Sequence, residues 1–186
     1  FTKNEHRGLY KTSDGGVSWN KILFTNNSSG IADLVMDPKN PNKIFAAMYD
    51  HHRTPYSFVS GGPGSGLYVS KDYGDSWQKI ESKNGFPQGD LGRIGIAIAP
   101  SNPNRVYAKI EAKKNVLYRS DDGGFSWEKI NDNPKFTNNR PFYFQDLAVD
   151  TKDQNRLYNI YQPLSVSYDG GKTFDQTPMI PADETK

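Results

Sequence analysis

A pair of carboxyl groups is the strongest candidate for chemistry in this chain. Asp33 and Asp146 stand at the same position of a repeated segment, directly before the apolar runs 34–36 and 147–149. Cleavage of a glycosidic bond requires two carboxyl groups roughly 5 to 9.5 Å apart. Asp90 is a third candidate, because it falls in a connection on the same predicted face. Asp residues at strand starts also cap loops, so a structural role remains open for all three.

A second set of side chains is suited to binding a ligand. Aromatic rings stack on the apolar faces of sugars, and arginine offers paired hydrogen bonds. Such residues cluster in three long connections, 50–65, 81–93 and 131–145. The candidate ligand-binding residues are Arg53, Tyr56, Phe58, Arg93, Arg140, Phe142 and Tyr143. The alternative is that the aromatic residues only cover the ends of the sheets.

The elements that must position these residues are given by an internal repeat. The pattern Ser/Thr-x-Asp-x-Gly-x-Ser/Thr-Trp/Phe occurs four times, at intervals of about 47 to 58 residues, which is near the period of propeller blades. The Asp can accept backbone N–H groups within a turn, the Gly takes a positive φ, and the ring packs against a sheet. We call this turn the box and predict a structural role for Asp14, Gly16, Trp19, Asp72, Gly74, Trp77, Asp122, Gly124, Trp127, Asp169, Gly171 and Phe174.

Between the boxes, pairs of short apolar runs joined by Asp, Pro, Asn and Lys predict β-hairpins. Each full repeat then contains four strands, A to D, in meander order. The predicted strands are A at 32–37, 94–99 and 146–150, B at 43–49, 105–111 and 156–161, C at 66–70, 116–120 and 164–168, and D at 76–80, 126–130 and 173–177. We predict an all-β chain of about three and a half propeller blades, divided into a half blade at 8–24 and blades at 31–80, 93–130 and 145–178. One such sheet cannot bury both of its faces, so the blades must stack.

Composition excludes several classes of function. The net charge of +2 comes from 23 basic and 21 acidic residues that are interspersed, so nucleic-acid binding is not expected. No apolar run is long enough to span a bilayer, and the first residues lack signal-peptide character, so any targeting segment is expected to have been removed or to lie outside this sequence. The absence of cysteine excludes disulfides and thiolate metal sites. We expect neither a metal nor a cofactor.

At the four boxes the chain resembles the Asp-box, or bacterial-neuraminidase-repeat, β-propellers. This group includes sialidases, xyloglucan-cleaving enzymes of glycoside hydrolase family 74, photosystem assembly factors and sortilin with its VPS10 relatives. The segments 53–58, 60–68, 91–95 and 140–143 look most like large exported, sortilin-like bacterial proteins, and the resemblance to family 74 is more distant. The resemblance implies a propeller fold and a location that is secreted, periplasmic or at the cell surface.

The sequence thus favours a non-catalytic propeller module that binds a protein, peptide or glycan through its loop-rich face. Two alternatives remain: a family 74-like glycoside hydrolase that uses a carboxylate pair, and a structural part of a surface or secretion assembly. The half blade would leave unpaired strand edges. We therefore expect the remaining blades of the propeller as partners, in the same polypeptide or in another chain.

Overall fold

The computed structural model describes residues 3–137, 140–160 and 164–176, which form four antiparallel β-sheets. The first sheet contains β1 (Leu9–Lys11) and β2 (Asn20–Leu23). The second contains β3 (Ser29–Met36), β4 (Ile44–Arg53), β5 (Phe58–Ser60), β6 (Gly66–Ser70) and β7 (Gln78–Lys79). The third contains β8 (Ile94–Ile98), β9 (Val106–Ile110), β10 (Val116–Ser120) and β11 (Glu128–Asn131). The fourth contains β12 (Leu147–Val149), β13 (Leu157–Asn159), β14 (Ser165–Ser167) and β15 (Asp175–Gln176).

The predicted fold class is confirmed. Apart from a 3-10 turn at Ser82–Asn84 and the helical turn α1 (Pro134–Thr137), the regular structure of the described residues is all β, in antiparallel sheets whose strands follow the meander order. The division into blades remains a prediction. Its last limit, at residue 178, and the predicted strand ends at 161 and 177 lie outside the described residues.

One predicted connection contains a pair of strands instead. Residues 50–65 were expected to form a long loop, but β4 continues to Arg53 and pairs with β5 in a hairpin. The hairpin closes because the backbone N–H of Thr54 donates to the carbonyl of Ser57 at 2.8 Å, while the Thr54 hydroxyl accepts the N–H of Ser57 at 2.9 Å. A threonine that satisfies its own turn in this way lets the strand pairing extend beyond the core.

The core lies between the sheets. All five residues of β8 and all five of β9 are buried, so these two strands of the third sheet are covered on both faces. They accordingly read as nearly continuous apolar runs rather than alternating ones. The interface between the second and third sheets contains Phe45, Ala47, Leu67, Val69, Ile96, Ile98, Ala108 and Trp127.

The boxes share one hydrogen-bonding scheme. In the second box, Asp72 Oδ1 accepts the backbone N–H of Ser76 at 2.9 Å and Asp72 Oδ2 accepts the Ser76 hydroxyl. The Ser70 hydroxyl donates to Asp72 and accepts the N–H of Gly74, whose φ is 87°. These hydrogen bonds, led by that of the Ser76 hydroxyl, lower the pKa of Asp72 to about 2. Each box carboxylate is therefore held in its ionised form by its own turn.

Burial of the aromatic ring that ends each box depends on the neighbouring sheet. Trp127 is 6% exposed and makes edge contacts with Phe45 and Phe86, at centroid distances of 6.5 and 5.2 Å. Trp19, in the first sheet, is 57% exposed. The two tryptophans thus share a sequence motif and differ in packing.

We expect Trp127→Ala to lower the free energy of unfolding by about 3 to 5 kcal/mol, because it leaves a cavity between two sheets. Trp19→Ala is the matched control and should cost less than about 1 kcal/mol, since most of that ring already contacts solvent. Urea denaturation followed by circular dichroism measures both. Equal losses would show that ring burial does not determine the contribution of a box.

Candidate functional site

The candidate site lies at the end of the sheets opposite the boxes, where two segments distant in sequence meet. The first is the β4–β5 hairpin, which extends from the second sheet. The second is the segment 140–146, which leads into β12 and begins with a turn in which Tyr143 and Phe144 donate their N–H groups to the carbonyl of Arg140. Arg140 takes a positive φ of 48° at the start of this turn.

Arg93 fixes the second segment. Its Nη1 donates to the carbonyl oxygens of Phe142 and Tyr143, both at 3.2 Å, and Gln145 Nε2 donates back to the carbonyl of Arg93 at 3.2 Å. The backbone N–H of Arg93 donates to Glu111 Oε2 at 2.8 Å. One arginine therefore connects the start of the third sheet with the approach to the fourth.

The two segments bring four aromatic rings into a row, which we call the aromatic ridge: Phe58, Phe142, Tyr143 and Phe144. Successive ring centroids are 4.9, 4.6 and 6.1 Å apart. Arg53 holds one end of the ridge, because its Nη1 donates to the Tyr143 hydroxyl at 2.7 Å and its guanidinium lies over the Phe58 ring. Phe58, Tyr143 and Phe144 remain between 38% and 47% exposed, so the ridge presents ring surface to solvent.

A groove of about 450 Å³ opens beside Phe142. Its other walls carry mainly polar side chains, namely Glu111, Lys113, Lys114, Asn115, Asp132 and Thr137. Lys114 Nζ forms an ion pair with Asp132 at 2.8 Å. An apolar ridge next to a polar groove is the combination expected of a site that recognises an amphipathic ligand.

The structure unites five of the seven predicted ligand-binding residues: Arg53, Phe58, Arg93, Phe142 and Tyr143. The other two, Tyr56 and Arg140, take no part in the ring contacts and side-chain hydrogen bonds found among the described residues of the ridge. Tyr56 is 98% exposed at the tip of the β4–β5 hairpin, and the Arg140 side chain is also exposed.

Sequence reasoning missed Tyr49, Ser60 and Glu111, which support the ridge from below. The Tyr49 hydroxyl lies 2.7 Å from Ser60 Oγ, and Ser60 Oγ donates to Glu111 Oε2 at 2.7 Å. Tyr49 follows Met48, which pairs with the first residue of β6, and Glu111 follows Ile110, which pairs with the first residue of β10. Tyr49 and Glu111 therefore hold equivalent positions in two sheets, and a residue-by-residue alignment of the repeats is the signal that could have identified this pair.

The three candidate carboxylates have different surroundings. Asp33 Oδ2 accepts the backbone N–H of Ile96 in the next sheet and Oδ1 accepts that of Leu34, both at 2.8 Å. Burial raises the pKa of Asp33, and the negative charge of Asp146 raises it further. The Asp146 side chain is 62% exposed and lies 4.0 Å from Arg93 Nη2. Asp90 is exposed. The structure thus places Asp33 and Asp146 close enough to interact electrostatically.

A buried lysine lies beneath the ridge, between the third and fourth sheets. Lys109 is 2% exposed, and its Nζ donates to Asn159 Oδ1 at 2.7 Å and to the carbonyl of Phe144 at 3.5 Å. Burial lowers the pKa of Lys109 to about 8, although the charge of Asp146 opposes this shift. The segment 140–146 therefore contacts a buried ammonium group whose charged form is disfavoured by loss of solvation.

Two structural features that bear on function are absent from the described residues. These residues contain no group of three or more His, Asp or Glu side chains arranged to hold a metal ion. No helix in residues 3–137, 140–160 or 164–176 has the length and apolar character needed to cross a membrane.

Comparison with known proteins supports the fold. No family model matches the chain. The xyloglucanase Xgh74A of Acetivibrio thermocellus is 24% identical over 151 residues, which cover 68% of this chain and 16% of that protein. The chain is thus similar to a small part of a much longer relative.

Solved structures give the same result. The GH74 xyloglucanase of Xanthomonas campestris superimposes with a TM-score of 0.66 at 20% identity, over 91% of this chain and 25% of that one. The GH74 enzyme of Niastella koreensis gives a TM-score of 0.64 at 19% identity, over 90% and 26%. YCF48 from Cyanidioschyzon merolae gives 0.56 at 17% identity, over 80% and 39%. These likenesses establish a propeller module. The sequence match to Xgh74A supports the family 74 part of the predicted resemblance, and the sortilin part stays a prediction.

The buried lysine predicts a pH dependence. Because the folded pKa of Lys109 is below the unfolded value, the folded state binds fewer protons and stability rises as the pH increases through 8 to 10. Between pH 7.5 and 9.5 the free energy of unfolding should rise by about 2 kcal/mol more than in Lys109→Met. Lys113→Met, at an exposed lysine, should keep the wild-type dependence. Parallel curves for wild type and Lys109→Met would contradict the shifted pKa.

Proposed function

We propose that this chain is part of a larger β-propeller outside the cytoplasm, and that its loop face binds a polymeric glycan of the β-glucan class without cleaving it. The observation that carries the proposal is the aromatic ridge, exposed beside a polar groove and held by Arg53 and Arg93. The similarity to part of a xyloglucanase supports the choice of ligand class. The remaining blades are expected as partners, and the location outside the cytoplasm is the one that the Asp-box resemblance of the sequence implies.

The ridge suits a glycan for physical reasons. Three of the four rings of the ridge are exposed and offer apolar surface to the C–H faces of successive sugars. The groove places lysine, asparagine and carboxylate groups within reach of hydroxyls, which are both donors and acceptors. The Arg53–Tyr143 hydrogen bond orders two ring-bearing segments before a ligand arrives, which reduces the entropy lost on binding.

Hydrolysis is a second candidate, favoured by one observation. Burial raises the pKa of Asp33 and the charge of Asp146 raises it further, which is the direction that the role of a general acid requires. Against this role, both Asp33 oxygens already accept backbone N–H groups. We therefore assign Asp33 to the contact between sheets and rank binding above cleavage.

Tyr143→Ala should weaken binding of xyloglucan oligosaccharides at least tenfold, which corresponds to about 1.4 kcal/mol, because it removes a central ring of the ridge. Phe58→Ala should have a similar effect. Tyr168→Ala is the matched control, since Tyr168 is also exposed, at 61% against 47% for Tyr143, but lies in a box at the other end of the sheets. Isothermal titration calorimetry against xyloglucan oligosaccharides and unrelated peptides measures the effect. Tight peptide binding without glycan binding would overturn the ligand class.

Cleavage is tested separately by reducing-end release from xyloglucan. We expect no release from the folded chain. If release occurs, Asp146→Asn decides whether the site lies here, because this exposed side chain can change without disturbing a backbone contact. Asp33→Asn must be accompanied by a denaturation curve, since an amide nitrogen cannot accept the N–H of Ile96 or Leu34. Release abolished by Asp146→Asn in folded protein would establish the hydrolase alternative.

A further inference from the structure

A lysine and an asparagine that are both buried join the third and fourth sheets. Lys109 lies in β9 and Asn159 is the last residue of β13, and each is 2% exposed. Lys109 Nζ donates to Asn159 Oδ1 at 2.7 Å, across a separation of 50 residues in the sequence. At the equivalent positions between the second and third sheets stand Ala47 and Ala108, so the stacking of two sheets does not itself require a polar pair there.

Strand pairing fixes the backbone of both residues. Lys109 pairs with residues of both β8 and β10, and Asn159 pairs with residues of both β12 and β14. Two groups held in contact in this way have already lost most of the freedom that a reaction between them would cost. Well-oriented intramolecular reactions reach effective molarities of about 10⁵ to 10⁸ M.

The Asn159 amide is held by its nitrogen as well as by its oxygen. Its Nδ2 donates to the carbonyl of Phe136 at 3.2 Å and to Ser165 Oγ at 3.1 Å. The amide oxygen is thereby turned towards Lys109 and the amide nitrogen away from it. This arrangement leaves the carbonyl carbon open to an approaching amine, with a hydroxyl group already beside the nitrogen that would leave.

The amine of Lys109 is shielded from water by the segment 140–146, and its Nζ contacts the carbonyl of Phe144 in that segment at 3.5 Å. Burial lowers the pKa of Lys109 to about 8, and the charge of Asp146 opposes this shift. In the part of the chain that the structure describes, no carboxylate forms a hydrogen bond or an ion pair with Lys109. A fraction of the molecules therefore presents a neutral, nucleophilic amine to Asn159 near neutral pH.

We propose that Lys109 and Asn159 form an intramolecular isopeptide bond, which joins the third and fourth sheets covalently beneath the aromatic ridge. The lone pair of Lys109 Nζ adds to Cγ of Asn159, and Nζ releases one proton. The bond between Cγ and Nδ2 then breaks, and Nδ2 leaves as ammonia with that proton, which the Ser165 hydroxyl can pass on. One C–N bond replaces another, so the step needs no oxidant, reductant or further reactant.

The reaction starts from the folded chain with a free amine, because only folding brings β9 and β13 together. The pH dependence of unfolding predicted for Lys109 belongs to that form and disappears once the amine has become an amide. Ser165 offers a hydroxyl rather than a carboxylic acid for proton transfer, so we expect the bond to form slowly after folding. This inference does not depend on the proposed ligand of the loop face.

Intact-mass spectrometry of the full 186-residue chain tests the proposal. The folded protein is incubated for a week at about pH 9, where the amine is mostly neutral, and at about pH 6, where it is charged. We expect the mass to fall by one ammonia molecule, at least tenfold faster at the higher pH, and to stay constant in Asn159→Ala. Lys113→Met, at an exposed lysine, is the matched control and should lose ammonia as the wild type does. An unchanged wild-type mass overturns the proposal.

The position of the loss is determined by peptide mapping, because an asparagine that forms a succinimide also releases ammonia. Trypsin should yield a linked pair in which the peptide 106–113, uncut at Lys109, is joined to the peptide 157–172. Loss of ammonia without this linked pair, for example at Asn84, which precedes a glycine, overturns the proposal. Incubation in guanidinium chloride separates the two groups, so a linked pair that formed equally fast there would also overturn it.

Discussion

The sheets of this molecule carry apolar side chains on both faces, and burial of both faces by stacking is the constraint on which the other features depend. Close approach is possible because two glycines stand where the sheets meet. A Cβ at Gly124 would lie 2.5 Å from the Phe45 ring, and one at Gly95 would lie 1.8 Å from the Gln145 carbonyl oxygen. Neither distance is compatible with a side chain, so these glycines are needed for packing as well as for turn geometry.

Stacking also explains the surroundings of Asp33. The N–H of Ala99 donates to the carbonyl of Arg105, and the N–H of Glu111 donates to the carbonyl of Arg93. Because bonded and non-bonded pairs alternate along the antiparallel strands β8 and β9, the N–H of Ile96 points away from β9. As β8 is the inner strand, that N–H has no strand partner. Asp33 of the preceding sheet accepts it. The same contact buries the carboxylate and raises its pKa, so a feature that would suit an acid catalyst has a structural cause.

The parts of the fold that depend on local sequence were predictable. The boxes could be read from four copies because each turn satisfies its Asp within eight residues, and the hairpins from short apolar runs between polar turns. The β5 strand and the burial of Lys109 could not be read in this way. The first depends on a threonine closing its own turn. The burial of Lys109 depends on Asn159, which lies opposite it between the third and fourth sheets. At the equivalent positions between the second and third sheets, the residues are Ala47 and Ala108.

The candidate site shows the same limit more clearly. Its residues were named because aromatic and arginine side chains fell in long connections, but their assembly depends on contacts between residues 90 positions apart, as in the Arg53–Tyr143 hydrogen bond. The β4–β5 hairpin comes from the second sheet, Arg93 and Glu111 from the third, and Phe142 precedes the fourth. The ridge exists only if three sheets are stacked in order, since each supplies a part that holds another. A change at a sheet interface below, such as neutralising Lys109 beneath Phe144, therefore acts on the same surface that a ligand would contact.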